Sequence, residues 1–235
     1  MKLCKKYLAF LPFYLMVCAI MIIAALSGSR AVTVMAENTP VERQHCIVID
    51  AGHGGIDGGA ISCTGALESN INLSIARRLD DLMHLIGFDT VMIRTSDESV
   101  YTQGETIAAQ KVSDLKNRVK MVNQTENALL VSIHQNLFAD SRYSGAQVFY
   151  GRGQGSDLLA RQLQTAFVET VNPESNRKSK PADSVYLMQH IDCTGILVEC
   201  GFLSNPEEEA KLRTAEYQKQ LCCVIAASVS QFLRT

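Results

Sequence analysis

The stretch at 48–60, VIDAGHGGIDGGA, holds one histidine, two aspartates and five glycines directly after an apolar run typical of a β-strand. A glycine-rich loop of this kind can cradle a phosphate group or fold tightly around a metal ligand. A P-loop requires Gly-Lys-Ser/Thr, and a dinucleotide-binding loop requires GxGxxG that opens straight into a helix. No lysine or arginine lies between Val48 and Glu68, and the loop runs on to Glu68 before the next helical pattern. These observations argue against a phosphate site.

Apolar strand patterns alternate with helical patterns through the rest of the chain. Strands are predicted at 45–50, 88–94, 128–133, 145–150, 184–188 and 195–200, and helices at 69–85, 113–125, 156–171, 206–212 and 216–233. Strands separated by helices predict a single α/β domain with a mostly parallel, twisted sheet and helices on both faces.

The N-terminal residues have a different character from the rest. Three lysines precede an apolar run at 7–26, and about twenty such residues are the length that a helix needs to cross a bilayer. Positive charge before this run predicts that 1–26 is a cytoplasmic N-terminus followed by a membrane anchor or a signal peptide. A polar tether is then predicted at 27–44 and a folded domain at 45–235, exported to the outer face of the cytoplasmic membrane.

Charge and cysteine content limit the classes of partner and site. Five Lys/Arg and two Asp/Glu precede His45, which leaves 17 basic and 22 acidic residues in the remainder. This acidic balance does not suit a nucleic-acid-binding domain. The cysteines of the domain have no metal-type spacing, and we expect them to be reduced. One disulfide among them is the alternative that the sequence leaves open. These cysteines are Cys46, Cys63, Cys193, Cys200, Cys222 and Cys223.

Four chemically active side chains follow or end predicted strands. His53 and Glu68 follow the first strand, His134 follows the strand at 128–133, and Glu199 lies at the end of the strand at 195–200. Because ligands collect at the carboxyl ends of parallel strands, we expect the four to converge. Two histidines and a carboxylate around an open position form a catalytic zinc set, and a second, metal-free carboxylate can move protons. The order predicts one zinc ion at His53, Glu68 and His134, with Glu199 as acid/base.

Each of these residues also has a structural interpretation when taken alone. A single histidine after a strand is commonly a packing or surface residue, and Glu68 could be an acid at a helix N-terminus. Further candidates surround the set. Asp50 and Asp57 are candidate acceptors for the N–H group of a ligand imidazole, and Asn136 and Arg94 are predicted to bind polar groups of the substrate.

Four ordered motifs together resemble the zinc-dependent N-acetylmuramoyl-L-alanine amidases of the amidase 3 family. They are VIDAGHGGIDGGA at 48–60, Glu68, LLVSIHQN at 129–136 and GILVECGFLSNPEE at 195–208. The resemblance covers nearly all of 45–235 and implies that His53, Glu68 and His134 bind zinc and that Glu199 is the catalytic acid/base. It also implies the bond that is cleaved, the amide between the lactyl group of N-acetylmuramic acid and the L-alanine of the peptidoglycan stem peptide.

Within that family, the N-terminal segment and SNRKSKPADSVYLMQ at 175–189 are most similar to the CwlD-type spore cortex amidases. This implies a role in sporulation and germination, in the forespore intermembrane space or the cell wall, where stem peptides are removed before muramic-δ-lactam forms. Wall-binding repeats are absent from the sequence, and 172–183 is too short for the regulatory helix of cell-division relatives. An activating protein partner is therefore a hypothesis.

Two alternatives remain open from the sequence, one of them another enzyme and the other a protein of another class. A wall peptidase that cleaves within the stem peptide would use the same metal set, and analysis of its products would separate it from an amidase. A non-catalytic cell-wall binding protein would need neither the metal ligands nor Glu199, and its zinc content would distinguish it.

Overall fold

The computed structural model describes residues 45–234, in which six strands form one sheet flanked by helices. The strands are β1 (Cys46–Ala51), β2 (Asp89–Met92), β3 (Ala128–Asn136), β4 (Gln147–Tyr150), β5 (Lys180–Pro181) and β6 (Thr194–Phe202). The helices are α1 (Glu68–Leu85), α2 (Ile107–Gln124), α3 (Ser156–Thr170), α4 (Tyr186–His190), α5 (Pro206–Leu212) and α6 (Ala215–Phe232). The membrane segment predicted at 7–26 and the tether at 27–44 lie outside this range. No helix within it combines the length and apolarity needed to span a bilayer.

The sheet has the strand order β2-β1-β3-β6-β4-β5. The first four strands of that order run parallel, whereas β4 is antiparallel to β6, and β5 is parallel to β4. The carboxyl ends of β1, β3 and β6 therefore meet at one edge. The predicted mostly parallel α/β sheet is confirmed.

Alternate side chains of each strand point to opposite faces of the sheet. Both sets contain apolar residues, and helices cover both faces. On one face, Ile47 and Ile49 of β1 join the larger core, built with α1, α3 and α6. On the other, Val48 joins a smaller core with Val122 of α2 and Leu187 of α4. The predicted covering of both faces is confirmed, and the two cores are unequal in size.

Two predicted elements differ from the structure. The strand predicted at 184–188 is wrong, because these residues lead into helix α4 after the two-residue strand β5. A short apolar run fits a strand or a helix, and here the adjacent Leu187 and Met188 are both buried, which a helical turn permits and strand alternation does not. Helix α2 also begins earlier than the predicted 113, at Ile107, where the Thr106 hydroxyl accepts the N–H of Ala109. All six cysteines of the described range are free thiols.

Candidate metal centre

The loop after β1 holds His53 in an unusual backbone conformation. Its φ is +62°, a left-handed value that few residues other than glycine adopt. Gly54 and Asp57 close a tight turn beside it through two backbone hydrogen bonds of 2.8 and 3.1 Å. The carbonyl of His53 accepts a hydrogen bond of 2.7 Å from the buried Arg118 of α2. The glycine-rich stretch thus turns the chain sharply at His53, and Arg118 holds the turn.

His53, Glu68 and His134 come together at the carboxyl edge of the sheet. One side-chain nitrogen or oxygen from each lies within 4.8 Å of the others. Nε2 of His53 is 3.3 Å from Oε2 of Glu68, and Nδ1 of His134 is 3.0 Å from Oε1 of Glu68. Glu68 opens α1, and His134 lies within β3, so each ligand comes from a different element.

The Glu68 carboxylate is fixed by several donors. It is buried, at 3% exposure, and it accepts hydrogen bonds from the backbone N–H of Ala60 at 2.9 Å, that of Gln135 at 3.1 Å and the Asn72 amide at 3.2 Å. Such bonds hold a ligand carboxylate in one orientation. Two imidazoles and a held carboxylate are the donor set of a catalytic zinc site, so these residues fit the ion.

The charges of the set are balanced by protons in the metal-free chain. Burial disfavours the ionised form of Glu68, but its hydrogen bonds with His134 and His53 outweigh this and hold its pKa far below the usual range. Burial likewise disfavours protonated His53, but Glu68 and Asp57 outweigh it and raise the His53 pKa to about 9. A bound cation would displace the extra proton of His53, since a ligand histidine must be neutral.

Glu199 lies directly opposite His134 in the β3–β6 ladder, so both side chains point to the same face. Its Oε2 is buried and has no hydrogen-bond partner among the described residues. Burial raises the pKa of Glu199 to about 7, with the neighbouring Glu68 carboxylate adding to the shift and His134 opposing it. A buried carboxylate oxygen without a partner calls for a proton or a cation nearby, which again fits a metal site.

The two aspartates behave differently. Oδ2 of Asp57 lies 3.0 Å from Nδ1 of His53, the contact expected of an imidazole acceptor. Asp50 instead contacts no imidazole and binds the guanidinium of Arg118 and, at 2.6 Å, the hydroxyl of Ser132. Arg118 links Asp50 to the His53 loop, because its guanidinium also donates to the carbonyl of His53.

Arg94 faces the interior rather than the open side of the site. It is 2% exposed, and its guanidinium donates only to backbone carbonyls. The acceptors are those of Ala51, Gly52, Ser69 and Ser96. Arg94 therefore does not face the substrate side, contrary to the prediction, and it instead holds the backbone on either side of the His53 loop. Asn136 ends β3 half-buried beside the exposed Leu137 and Phe138, and its role in substrate binding stays a prediction.

Arg118 is the functional residue that the sequence did not reveal. It lies on α2, 68 positions away from Asp50, and is 3% exposed. A possible signal is its spacing, four residues after Asp114, with which it pairs, and four before the buried Val122. That spacing places a charged pair on the buried face of the helix.

The sequence is similar to those of known amidases. A family model described as N-acetylmuramoyl-L-alanine amidase matches residues 47–231. The germination-specific N-acetylmuramoyl-L-alanine amidase of Bacillus subtilis is 35% identical over 188 residues, which are 79% of this chain and 78% of that protein.

Solved structures of similar proteins share the fold. The CwlD amidase from Clostridioides difficile, solved in complex with the GerS lipoprotein, has a TM-score of 0.77 and 35% identity, covering 80% of this chain and 98% of that chain. An N-acetylmuramoyl-L-alanine amidase from Clostridium difficile 630 has a TM-score of 0.71 and 29% identity, covering 83% of this chain and 99% of that chain.

Proposed function

This chain belongs to the family of N-acetylmuramoyl-L-alanine amidases, and we propose that it works as a zinc enzyme with Glu199 as its acid/base. The observation that carries the proposal is the convergence of His53, Glu68 and His134 within 4.8 Å, with Glu199 directly opposite His134. One zinc ion held by these three side chains would polarise the carbonyl of the scissile amide and acidify a water molecule.

Glu199 would carry the proton through the reaction. Its carboxylate takes a proton from the attacking water, whose oxygen bonds to the lactyl carbonyl carbon. The same carboxyl group then donates that proton to the alanine nitrogen as the C–N bond breaks. Burial raises the pKa of Glu199 in the metal-free chain, and a carboxyl group with a raised pKa can both accept and return a proton.

We place the activity in spore cortex maturation, with muramic-δ-lactam as the downstream product. The support is the 35% identity to a relative described as germination-specific. We further propose that the segment at 7–26 delivers the domain across the cytoplasmic membrane, to its outer face or the forespore intermembrane space. The CwlD amidase was solved with a lipoprotein, and by analogy a protein partner would activate this chain.

Digestion of purified peptidoglycan with the full chain tests the zinc mechanism. We expect free stem peptides that begin at L-alanine and an intact glycan, detected by mass spectrometry. Activity should be lost on chelation and restored by zinc. Fragments cleaved within the stem peptide would instead identify a peptidase, and full activity in the metal-free protein would refute the zinc assignment.

Glu199→Gln tests the acid/base role. The variant should keep its fold and bound zinc but lose activity by roughly 10²–10⁴-fold, the usual contribution of a positioned proton carrier. Glu169→Gln is the matched control, because Glu169 is exposed on α3. Substantial retained activity in Glu199→Gln would refute its role.

A further inference from the structure

A β-bulge at the end of β6 brings Phe202 onto the catalytic face. His134 pairs with Glu199 and Asn136 pairs with Phe202, so two residues of β3 are matched by three of β6. Without the extra residue, Phe202 would point to the opposite face from Glu199. The bulge contains Gly201, where an added Cβ would lie 3.0 Å from the side chain of Glu208. Phe202 thus follows Glu199 along the same face, about 10 Å away.

Arg177 lies over this phenyl ring. Its guanidinium carbon is 4.6 Å from the ring centroid of Phe202. Nε donates to the carbonyl of Ser144 at 2.8 Å, and Nη1 donates to the side-chain oxygen of Gln147 at 3.2 Å. Both acceptors are neutral, and no ion pair to Arg177 occurs within 45–234. The guanidinium is therefore held in place by neutral acceptors, without an ion pair among the described residues.

Gln147 connects Arg177 to the catalytic edge. It lies directly opposite Glu199 in the β4–β6 ladder, and such pairs have Cβ atoms about 5 Å apart. The Glu208 carboxylate attracts the charge of Arg177 without forming an ion pair with it. The two oxygens of Glu208 accept the backbone N–H groups of Gly145 at 2.6 Å and Phe202 at 2.7 Å.

A cavity of about 720 Å³ opens at this place, and its lining is strongly cationic. Glu174 is the acidic residue of the lining, and Arg142 is paired with Asp140 at 2.7 Å. The basic residues that line the cavity are Arg142, Arg177, Lys178, Lys180 and Lys211. The domain as a whole has more acidic than basic residues. The cavity is therefore a local reversal of charge, and its lining residue Gln147 lies opposite Glu199 in the sheet.

We propose that this cationic cavity binds a carboxylate of the peptide on the amine side of the scissile bond, with Arg177 as the specificity-determining residue. The inference rests on the proposed function and adds which part of the substrate the enzyme recognises. The sugar side of the bond is neutral once the lactyl carboxyl is an amide, so the carboxylates belong to the peptide. A guanidinium fork pre-oriented on an aromatic ring matches the two oxygens of a carboxylate.

Binding of the released peptide tests the proposal without requiring turnover. Isothermal titration of the zinc-loaded full chain would use L-alanyl-D-glutamate and its diamide, which differ only in the carboxylates. The acid should bind about tenfold or more tightly than the diamide, the loss typical of one charge-assisted contact. Arg177→Gln should abolish the difference, and Arg177→Lys should retain part of it. Arg78→Gln, a half-buried arginine that bonds Gln218 on the other face, is the matched control.

Equal affinity for acid and diamide in the wild type would overturn the proposal, as would a difference that survives in Arg177→Gln. Tighter binding of inorganic phosphate than of the dipeptide would also overturn it, because it would identify a phosphate site. A failure of the zinc mechanism is separate, since it would appear as unchanged turnover in metal-free protein or in Glu199→Gln.

Discussion

Asp57 fixes which nitrogen of His53 faces the metal ligands. Its Oδ2 lies 3.0 Å from Nδ1 of His53, and its Oδ1 lies 2.8 Å from the ammonium of Lys111. Because Asp57 accepts the Nδ1 proton, Nε2 is left free on the side of Glu68. A residue outside the ligand set therefore selects the tautomer that can bind metal.

Asp57→Asn should weaken zinc binding by about 10–100-fold, since an amide oxygen is a poorer acceptor for the imidazole N–H. Competition with a chromophoric chelator measures the affinity of the full chain. Lys111→Gln is the control, because it removes the ion pair but leaves the contact between Asp57 and His53. Equal losses in the two variants would assign the effect to the lysine instead.

Glu199 should make the stability of the metal-free protein depend on pH. Its pKa is about 7 when folded against an ordinary 4.5, so folding retains a proton that the unfolded chain releases. The stability from this proton is fully present below about pH 4.5 and lost as the pH rises through 7. Relative to Glu199→Gln, the wild type should lose about 3 kcal/mol in free energy of unfolding between pH 4.5 and 8. Urea titrations of both proteins measure this, and a constant difference would contradict it.

Gly52→Ala should disturb the metal centre without unfolding the protein. A Cβ at this position would lie 2.2 Å from Nε2 of His134, so the imidazole must move. We expect a large loss of zinc affinity with little change in circular dichroism. Gly58→Ala in the same loop is the control, because its Cβ would meet only the flexible side chain of Leu67 at 3.1 Å. Unchanged zinc affinity in Gly52→Ala would show that His134 can bind in another rotamer.

Arg118→Met should lower the free energy of unfolding by about 3–5 kcal/mol, because it leaves the Asp50 carboxylate buried without its cation. Asp50 is 1% exposed, which makes this loss severe. Adding Asp50→Asn should recover part of the loss, and a double-mutant cycle in denaturant measures the coupling. If the double variant lost as much as the two single variants together, the ion pair would not be the cause.

The convergence of the candidate metal ligands could be predicted because strand order decides it. His53, Glu68 and His134 each follow an apolar run, and parallel strands bring such positions to one edge. The direction of a buried side chain could not be read in this way. Arg94 ends the predicted strand at 88–94, a position at which a substrate-binding residue is expected. In the structure its guanidinium turns inward and donates to the carbonyl of Gly52, next to the left-handed turn at His53.

The β-bulge in β6 and the role of Arg118 could not be predicted from the sequence, for a different reason. The pairing of Phe202 with Asn136 depends on one extra residue in β6, and strand patterns do not reveal which residue is extra. Arg118 reaches Asp50 only through the packing of α2 on the sheet. Both depend on contacts between segments that are distant in the sequence.

The two cores differ in how much of the site they support. His134 and Glu199 lie on the face with the smaller core, whereas Glu68 opens α1, whose apolar side chains belong to the larger core. The part of the larger core under α3 and α6 could therefore be repacked to raise heat tolerance, or a wall-targeting module grafted onto these two helices, without changing α1 or any residue of the site. Directed evolution of substrate choice would concentrate its library on the other side.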